Sequence, residues 1–197
     1  MSDKAREVAV PVSVFFDYAC PFSHIASARL EQLAAHYPLA LHWRFIETRS
    51  SNTWSLDAAA EASALEQAQR YGVPLNSERP ATGSRPALLL AQAVLDRRPE
   101  RFWDLHHALL RVHFVQGHRL DEADLLGGLA RQLGVEDLAQ QAWHGPEFLQ
   151  RLLEHVEAAL QLGVSSVPTL VLDNRRFAGL DAVNTLEQAL AEHYGSG

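Results

Sequence analysis

The sequence predicts one domain built on a mixed α/β sheet, with a block of helices inserted between its two halves. Three observations carry this. An apolar strand–helix–strand pattern runs from about residue 10 to 46, and a long block with helical spacing follows. Strand character returns only in "SVPTLVLDNRRFAG", just before a closing amphipathic helix. The order is therefore βαβ, helices, ββα. The expected core halves are 10–56 and 163–197, with 57–162 as the insertion, all within a single 197-residue domain.

Val12 to Phe16 is β-branched and aromatic, as a buried strand should be. From Pro21 to Tyr37 the residues Ile25, Ala28, Leu30, Leu33 and Ala34 recur at helical spacing, and Pro38 stops the helix. Leu39 to Ile46 alternates as a second strand, which completes a unit the size of a right-handed parallel crossover. "TRSSNTWS" is a polar loop, after which Ser55 or Asp57 caps a helix over "AAAEASALEQAQRYG" that Gly72 closes. Further helices are expected over 85–97, 100–114, 121–133 and 146–162, the last with Pro146 in its first turn and Gly163 past its end. Val167 to Leu172 and Arg175 to Ala178 form a hairpin about Asp173-Asn174, and 181–194 is the final helix.

Composition narrows the function. Hydrophobic residues make up 47% of the chain and charged ones 21%, as in soluble globular proteins. The formal charge of −7 argues against nucleic acid, which selects a basic face. The start, MSDKAREVAVPVSVFF, is short in its apolar part, broken by Pro11 and without a small-residue cleavage box, unlike a secretory signal. No run approaches the roughly 18 apolar residues that span a membrane. One cysteine excludes an internal disulfide framework and a cysteine-rich zinc site. A cytoplasmic protein that binds neither nucleic acid nor membrane is the expectation.

That cysteine stands in "FDYACPFSH", between the first strand and the first helix. With Pro21 opening the helix, the Cys20 sulfur lies at a helix N-terminus, where unpaired N–H groups and the dipole favour an anion and lower a thiol's pKa. Ser23, in the same first turn, is placed to donate to that thiolate. The alternative is a buried, inert thiol, the usual fate of a lone cysteine. A second feature bears on the choice. "GVSSVPTLVLD" places Pro168 at the entry of a strand, where it cannot pair through an N–H, and makes Val167-Pro168 a candidate cis peptide. A thiol at one helix start and a Val-Pro-Thr strand entry are the two halves of a thioredoxin-like site.

On these residues, with "HWRFIE" and "RPATGSRPALLLAQ", the chain resembles the DsbA-like group of thioredoxin-fold proteins, especially the FrnE-like thiol oxidoreductases. It is also similar to their relatives, the 2-hydroxychromene-2-carboxylate isomerases and kappa-class glutathione transferases. The resemblance implies a thioredoxin-like fold with an all-helical insertion. It makes Cys20 the nucleophile, with Ser23 beside it, and puts Pro21, Phe22, Val167 and Pro168 against substrate. "FAGLDAV" resembles the G-x-D-R stretch of the isomerase and transferase branch, which implies that Asp181 holds the ammonium of glutathione; Ala182 stands where that branch has arginine. The competing role for Asp181 is ordinary capping.

Two departures shape the chemistry. The oxidoreductase branch has C-P-x-C, and Ser23 replaces its resolving cysteine; the other branch has S-P-Y-S, and Cys20 replaces its first serine. One sulfur forms no internal disulfide, but it forms mixed disulfides that an external thiol resolves. The leading reading is a monothiol DsbA-family oxidoreductase exchanging with glutathione or protein thiols, with no tightly bound cofactor or metal; a homodimer is left open. A glutathione-dependent isomerase or transferase is the second reading, and a non-catalytic thiol- or peptide-binding module the third. His106, His107 and His113 share one predicted helix without the further ligands a metal needs. Phe102, Trp103 and Phe114 read as packing between inserted helices, with the wall of a small-molecule cleft between insertion and core as the alternative.

Overall fold

In the computed structural model, which describes residues 9–48, 56–179 and 181–195, the run VPVSVFF forms β1 (Val10–Phe16). The N-terminal stretch 1–8, most of the polar loop with the alternative cap Ser55, Leu180 and the last two residues lie outside the described residues. β1 alternates cleanly: Val12, Val14 and Phe16 enter the main core, and Phe15 points to the opposite face.

α1 (Pro21–Ala34) ends three residues earlier than the spacing suggests. The N–H groups of His36 and Tyr37 both donate to the Leu33 carbonyl, because Pro38 disfavours helical geometry in the residue before it and the last turn tightens. β2 (Leu39–Phe45) then runs parallel to β1, from Val10 opposite Leu39 to Phe16 opposite Phe45. α2 (Ala58–Tyr71) is capped by the Asp57 carboxylate, which accepts from the Ala60 N–H at 2.7 Å. Gly72 ends it at φ 65°, a left-handed turn that costs glycine nothing.

α3 (Arg85–Arg97) follows the expected bounds. The single helix expected over 100–114 is three pieces: a 3₁₀ turn at Pro99–Arg101, α4 (Phe102–Leu110) and a π-helical turn at Arg111–Val115. Apolar spacing cannot distinguish these, since all keep one face inward. α5 (Ala123–Gln132) is followed by α6 (Glu136–His144), a helix that the spacing does not announce. Nine residues with three buried apolar positions, Leu138, Ala139 and Ala142, are too few to establish a period. α7 (Glu147–Gln161) completes the block.

β3 (Thr169–Leu172) starts two residues later than expected, since Pro168 has no N–H with which to pair. Asp173 and Asn174, at φ 47° and 64°, turn it into β4 (Arg175–Ala178), and α8 (Ala182–Gly195) closes the fold. Among the described residues the sheet has four strands in the order β2-β1-β3-β4, with β3 antiparallel to both neighbours. Leu30 and Leu33 of α1 and Leu186 and Leu190 of α8 cover one face, each burial contributing about 1.5–3 kcal/mol. Ala159 of α7 meets Phe15 and Val171 on the other.

Candidate active site

Cys20 is the residue that caps α1. Its backbone is extended at φ −94° and ψ 115°, Pro21 occupies the first helical turn, and the His24 N–H closes the first helical bond onto the Cys20 carbonyl at 3.1 Å. The side chain is only 3% exposed. It makes no capping bond to the helix; the thiol instead donates to the Val167 carbonyl at 3.5 Å. The macrodipole of α1 therefore ends at a sulfur held against a strand entry.

The topology makes this meeting. β1 and β3 pair antiparallel, with Phe15 opposite Thr169, so the outgoing end of β1 and the incoming end of β3 lie on the same edge of the sheet. Residues 147 positions apart in sequence become neighbours there. The Val167-Pro168 peptide is cis, as its setting suggests. Thr169 Oγ1 donates to the Ser166 carbonyl at 2.7 Å, and the Gly179 N–H to the Pro168 carbonyl at 3.1 Å, so both sides of this entry are pinned. Gly163, at φ 64°, admits Arg176, whose Nη1 donates to the carbonyls of Leu162 and Gly163. A Cβ there would run into that nitrogen.

Of the other expected site residues, Pro21 and Ser23 are buried and Phe22 is half-buried beside Gly179 and Val183. Ser23 Oγ accepts the Asp17 N–H at a long 3.5 Å. Asp181 is exposed at the start of α8. Its carboxylate accepts from Asn184 Nδ2 at 3.1 Å, and its carbonyl accepts from both the N–H and the hydroxyl of Thr185. Capping contacts of this kind need no ligand. Asn184 in turn accepts from Arg29 at 2.7 Å and donates to the Tyr71 hydroxyl at 3.2 Å, which ties the start of α8 to α1 and α2.

Sequence reasoning gave Asp17 no role, yet it shapes the loop. The fully buried carboxylate accepts the Ala19 N–H at 3.0 Å, the Thr48 N–H at 2.8 Å and the Thr48 hydroxyl, while its carbonyl accepts the Cys20 N–H at 3.1 Å. An aspartate three residues ahead of the cysteine is a turn signal that could have been read. The sulfur is thus placed by a carboxylate that bridges the ends of β1 and β2.

The histidines take separate tasks. His106 is fully buried between the Tyr18 hydroxyl and Ser27 Oγ, at 2.7 Å from each, one ring nitrogen donating and the other accepting. Burial holds its pKa well below the usual histidine range and raises that of Tyr18 well above the ordinary tyrosine value. His107 faces Glu31 at 2.8 Å on the surface. His113 pairs through Nδ1 with the His118 carbonyl, and burial lowers its pKa to about 4. His24 stacks on Phe114 with ring centroids 4.6 Å apart and is likewise lowered to about 4 by burial. His155, singled out by no motif, accepts the edge-strand Phe45 N–H at 3.0 Å and is also lowered to about 4, first by burial. Among the described residues no three His, Cys, Asp or Glu side chains are grouped to hold a metal.

Two depressions are lined by neighbours of the cysteine. A polar one of about 60 Å³ lies beside Ala19 and Pro21 and includes the ion pair of Arg79 with Glu61, Thr82 and His113. An apolar one of about 130 Å³ lies beside Val167 and runs onto α7. No helix among the described residues is long and apolar enough to cross a membrane.

Comparison with known proteins follows the geometry. Residues 11–191 match the family model for the DSBA-like thioredoxin domain. A probable DsbA oxidoreductase from Streptomyces coelicolor superposes with a TM-score of 0.78 at 21% identity, covering 95% of this chain and 91% of that one. A 2-hydroxychromene-2-carboxylate isomerase gives 0.76 at 22% identity, over 92% and 95%. The cytosolic disulfide reductase DsbM from Pseudomonas aeruginosa, solved with GSH, gives 0.71 at 19% identity, over 92% and 99%.

Proposed function

This chain belongs to the DsbA-like thioredoxin-domain family, and from that premise we propose that it is a cytoplasmic thiol–disulfide oxidoreductase that works through the single sulfur of Cys20. The observation that carries the reading is the Cys20 thiol held 3.5 Å from the Val167 carbonyl at the N-terminus of α1. In this reading 10–56 and 163–197 form the catalytic core, and 57–162 is the insertion that walls it.

The reaction is thiol–disulfide exchange. The Cys20 thiolate attacks glutathione disulfide, a bond forms between Cys20 and one glutathione sulfur, and the second glutathione leaves as thiolate. An external thiolate then attacks the glutathione sulfur of the mixed disulfide, a new disulfide forms between the two, and Cys20 leaves as the thiolate it began as. Ser23 stands where a resolving cysteine would intercept that intermediate, so the mixed disulfide persists until the external thiol arrives. The free N–H groups of the first turn of α1 favour the attacking thiolate. Pro21, Phe22 and the backbone of Val167-Pro168 border the position of the incoming disulfide. DsbM, a cytosolic reductase solved with GSH, supports both the partner and the compartment.

Intact mass after incubation with glutathione disulfide tests this. One glutathione per chain is expected, removed by added thiol and absent in Cys20→Ser. An unmodified wild-type chain would sink the reading. The isomerase or transferase reading draws on the likeness to the 2-hydroxychromene-2-carboxylate isomerase. It predicts tight glutathione binding with no exchange.

A further inference from the structure

A cavity of about 520 Å³ opens within the insertion, where α3, α5 and α6 meet. It shares no lining residue with the two depressions that the cysteine's neighbours line. Its volume is that of a small-molecule site. Each helix turns one face toward it: α3 gives Pro86 and Leu89, α5 gives Gly127 and Arg131, and α6 gives Trp143.

The floor is apolar and fixed in place. The Trp143 indole N–H donates to the Pro86 carbonyl at 3.0 Å, which holds the half-buried ring against the start of α3. Leu89, one turn along α3, is buried. Gly127 keeps the cavity open. It stands four residues from both Ala123 and Arg131 on the same face of α5, and a Cβ there would meet nothing within 4 Å. Glycine inside a helix costs stability relative to alanine, so what this residue provides is room.

Charge marks the two ends. Of the arginine and aspartate side chains that line the cavity, Arg85 pairs with Glu47 at 2.6 Å and Asp121 with Arg119 at 2.7 Å. Among the described residues no ion pair engages Asp124 or Arg131. These two stand seven residues apart on α5, a rise of about 10.5 Å. That is about the span of three residues of extended chain. Gln140 and His144 of α6 add hydrogen-bonding groups between the three helices.

We propose that this cavity binds a short peptide of about three residues with both termini free. Its carboxylate meets Arg131, its ammonium meets Asp124, and an apolar middle side chain lies against Trp143. The opposite charges at the two ends set direction and length, while the apolar floor supplies contact area. The terminus of a protein offers one of these charges and uses half of the site, and so does an apolar acid or amine. The site stands apart from Cys20, so the inference is independent of disulfide exchange there.

Calorimetry on the full chain with alanyl-phenylalanyl-alanine tests it. A Kd below about 1 mM is expected, within the ordinary efficiency of a ligand this small. Amidating the carboxylate or acetylating the amine should each weaken binding by roughly 1.5-fold to fivefold, the size of an exposed ion pair. Arg131→Gln should abolish the effect of amidation and keep that of acetylation; Asp124→Asn should do the reverse. Gly127→Leu should fill the room and weaken the free peptide at least about tenfold. Its Tm should stay at or above that of wild type, because leucine is the better helix former. No binding to wild type, or binding that a folded Gly127→Leu leaves intact, overturns the proposal. Doubly capped peptide that binds as tightly as the free one assigns the cavity to an uncharged apolar ligand and overturns it. Tighter binding of 3-phenylpropanoate than of the tripeptide assigns it to an apolar acid and overturns it as well.

Discussion

Tyr18 and Cys20 stand two residues apart in one loop, both buried, and meet opposite fates. The Tyr18 hydroxyl is fully enclosed and closed into a chain with His106 and Ser27, so it joins the insertion to α1 and has no route to solvent chemistry. Cys20 sits at a helix start with its sulfur against a strand entry, and its neighbours Ala19, Pro21 and Val167 line two depressions. Burial alone does not distinguish a structural polar group from a reactive one. What distinguishes them is place: Tyr18 is enclosed within its hydroxyl–imidazole chain, whereas Cys20 stands at a helix start against a strand entry.

The largest expected effect sharpens the reactive side. Ser23→Cys should supply the missing second sulfur in the first turn of α1, where little backbone movement is needed for a disulfide. The bond from the Asp17 N–H to the serine is long, so its loss costs little. After oxidation both thiols should disappear from a thiol titration, and insulin reduction, expected to be absent in the single-thiol wild type without glutathione, should appear. A folded variant with two titratable thiols after oxidation contradicts the geometry.

Next comes the structural side. His106→Leu leaves the Tyr18 and Ser27 hydroxyls buried without their shared partner, at about 1–3 kcal/mol each. Urea unfolding should show a loss of roughly 3–5 kcal/mol. The folded fraction should keep its rate of glutathione adduct formation at Cys20. A stability loss near zero would mean that the chain of hydroxyls and imidazole is not a structural tie.

A pH scan tests the histidines on both sides together. His24, His113 and His155 titrate at about 4 when folded, against about 6.5 when unfolded. Between those values the unfolded chain binds protons that the folded chain refuses, so unfolding free energy falls as pH drops from 6.5 toward 4 and levels off above 6.5. The expected loss from pH 7 to pH 5 is at least about 2 kcal/mol, or about 4–8 °C in Tm for a chain of this size. A Tm that does not move over that range would contradict burial of neutral imidazoles.

The smallest effect belongs to Asp181, which sits beside the reactive side but is engaged like a structural residue. Asp181→Asn keeps an oxygen for Asn184 and should leave the unfolding free energy within about 0.5 kcal/mol. If its charge also holds glutathione's ammonium, calorimetry should show affinity falling by roughly 1.5-fold to fivefold, the size of an exposed ion pair. Unchanged affinity assigns the residue to capping alone.

The sequence by itself determined the elements whose signals are local. Pro21 after Cys20, Asp57 and Gly72 around α2, and Asp173-Asn174 between β3 and β4 act through the backbone within a few residues, and each stands where it was expected. The pairing of Cys20 with Val167-Pro168 was legible only as two halves of one pattern. Only the tertiary structure decided the rest. It broke one expected helix into a 3₁₀ turn, α4 and a π turn, and it added α6. Across long separations it brought Tyr18 to His106 and Arg29 to Asn184, and it set the Asp17 carboxylate against Thr48. On α7 it covered one apolar strip and left its neighbour in solvent. The physical reason is the same each time. Spacing states which side chains share a face, but whether that face finds a partner depends on chain segments that come together only when the whole sheet and its insertion have packed.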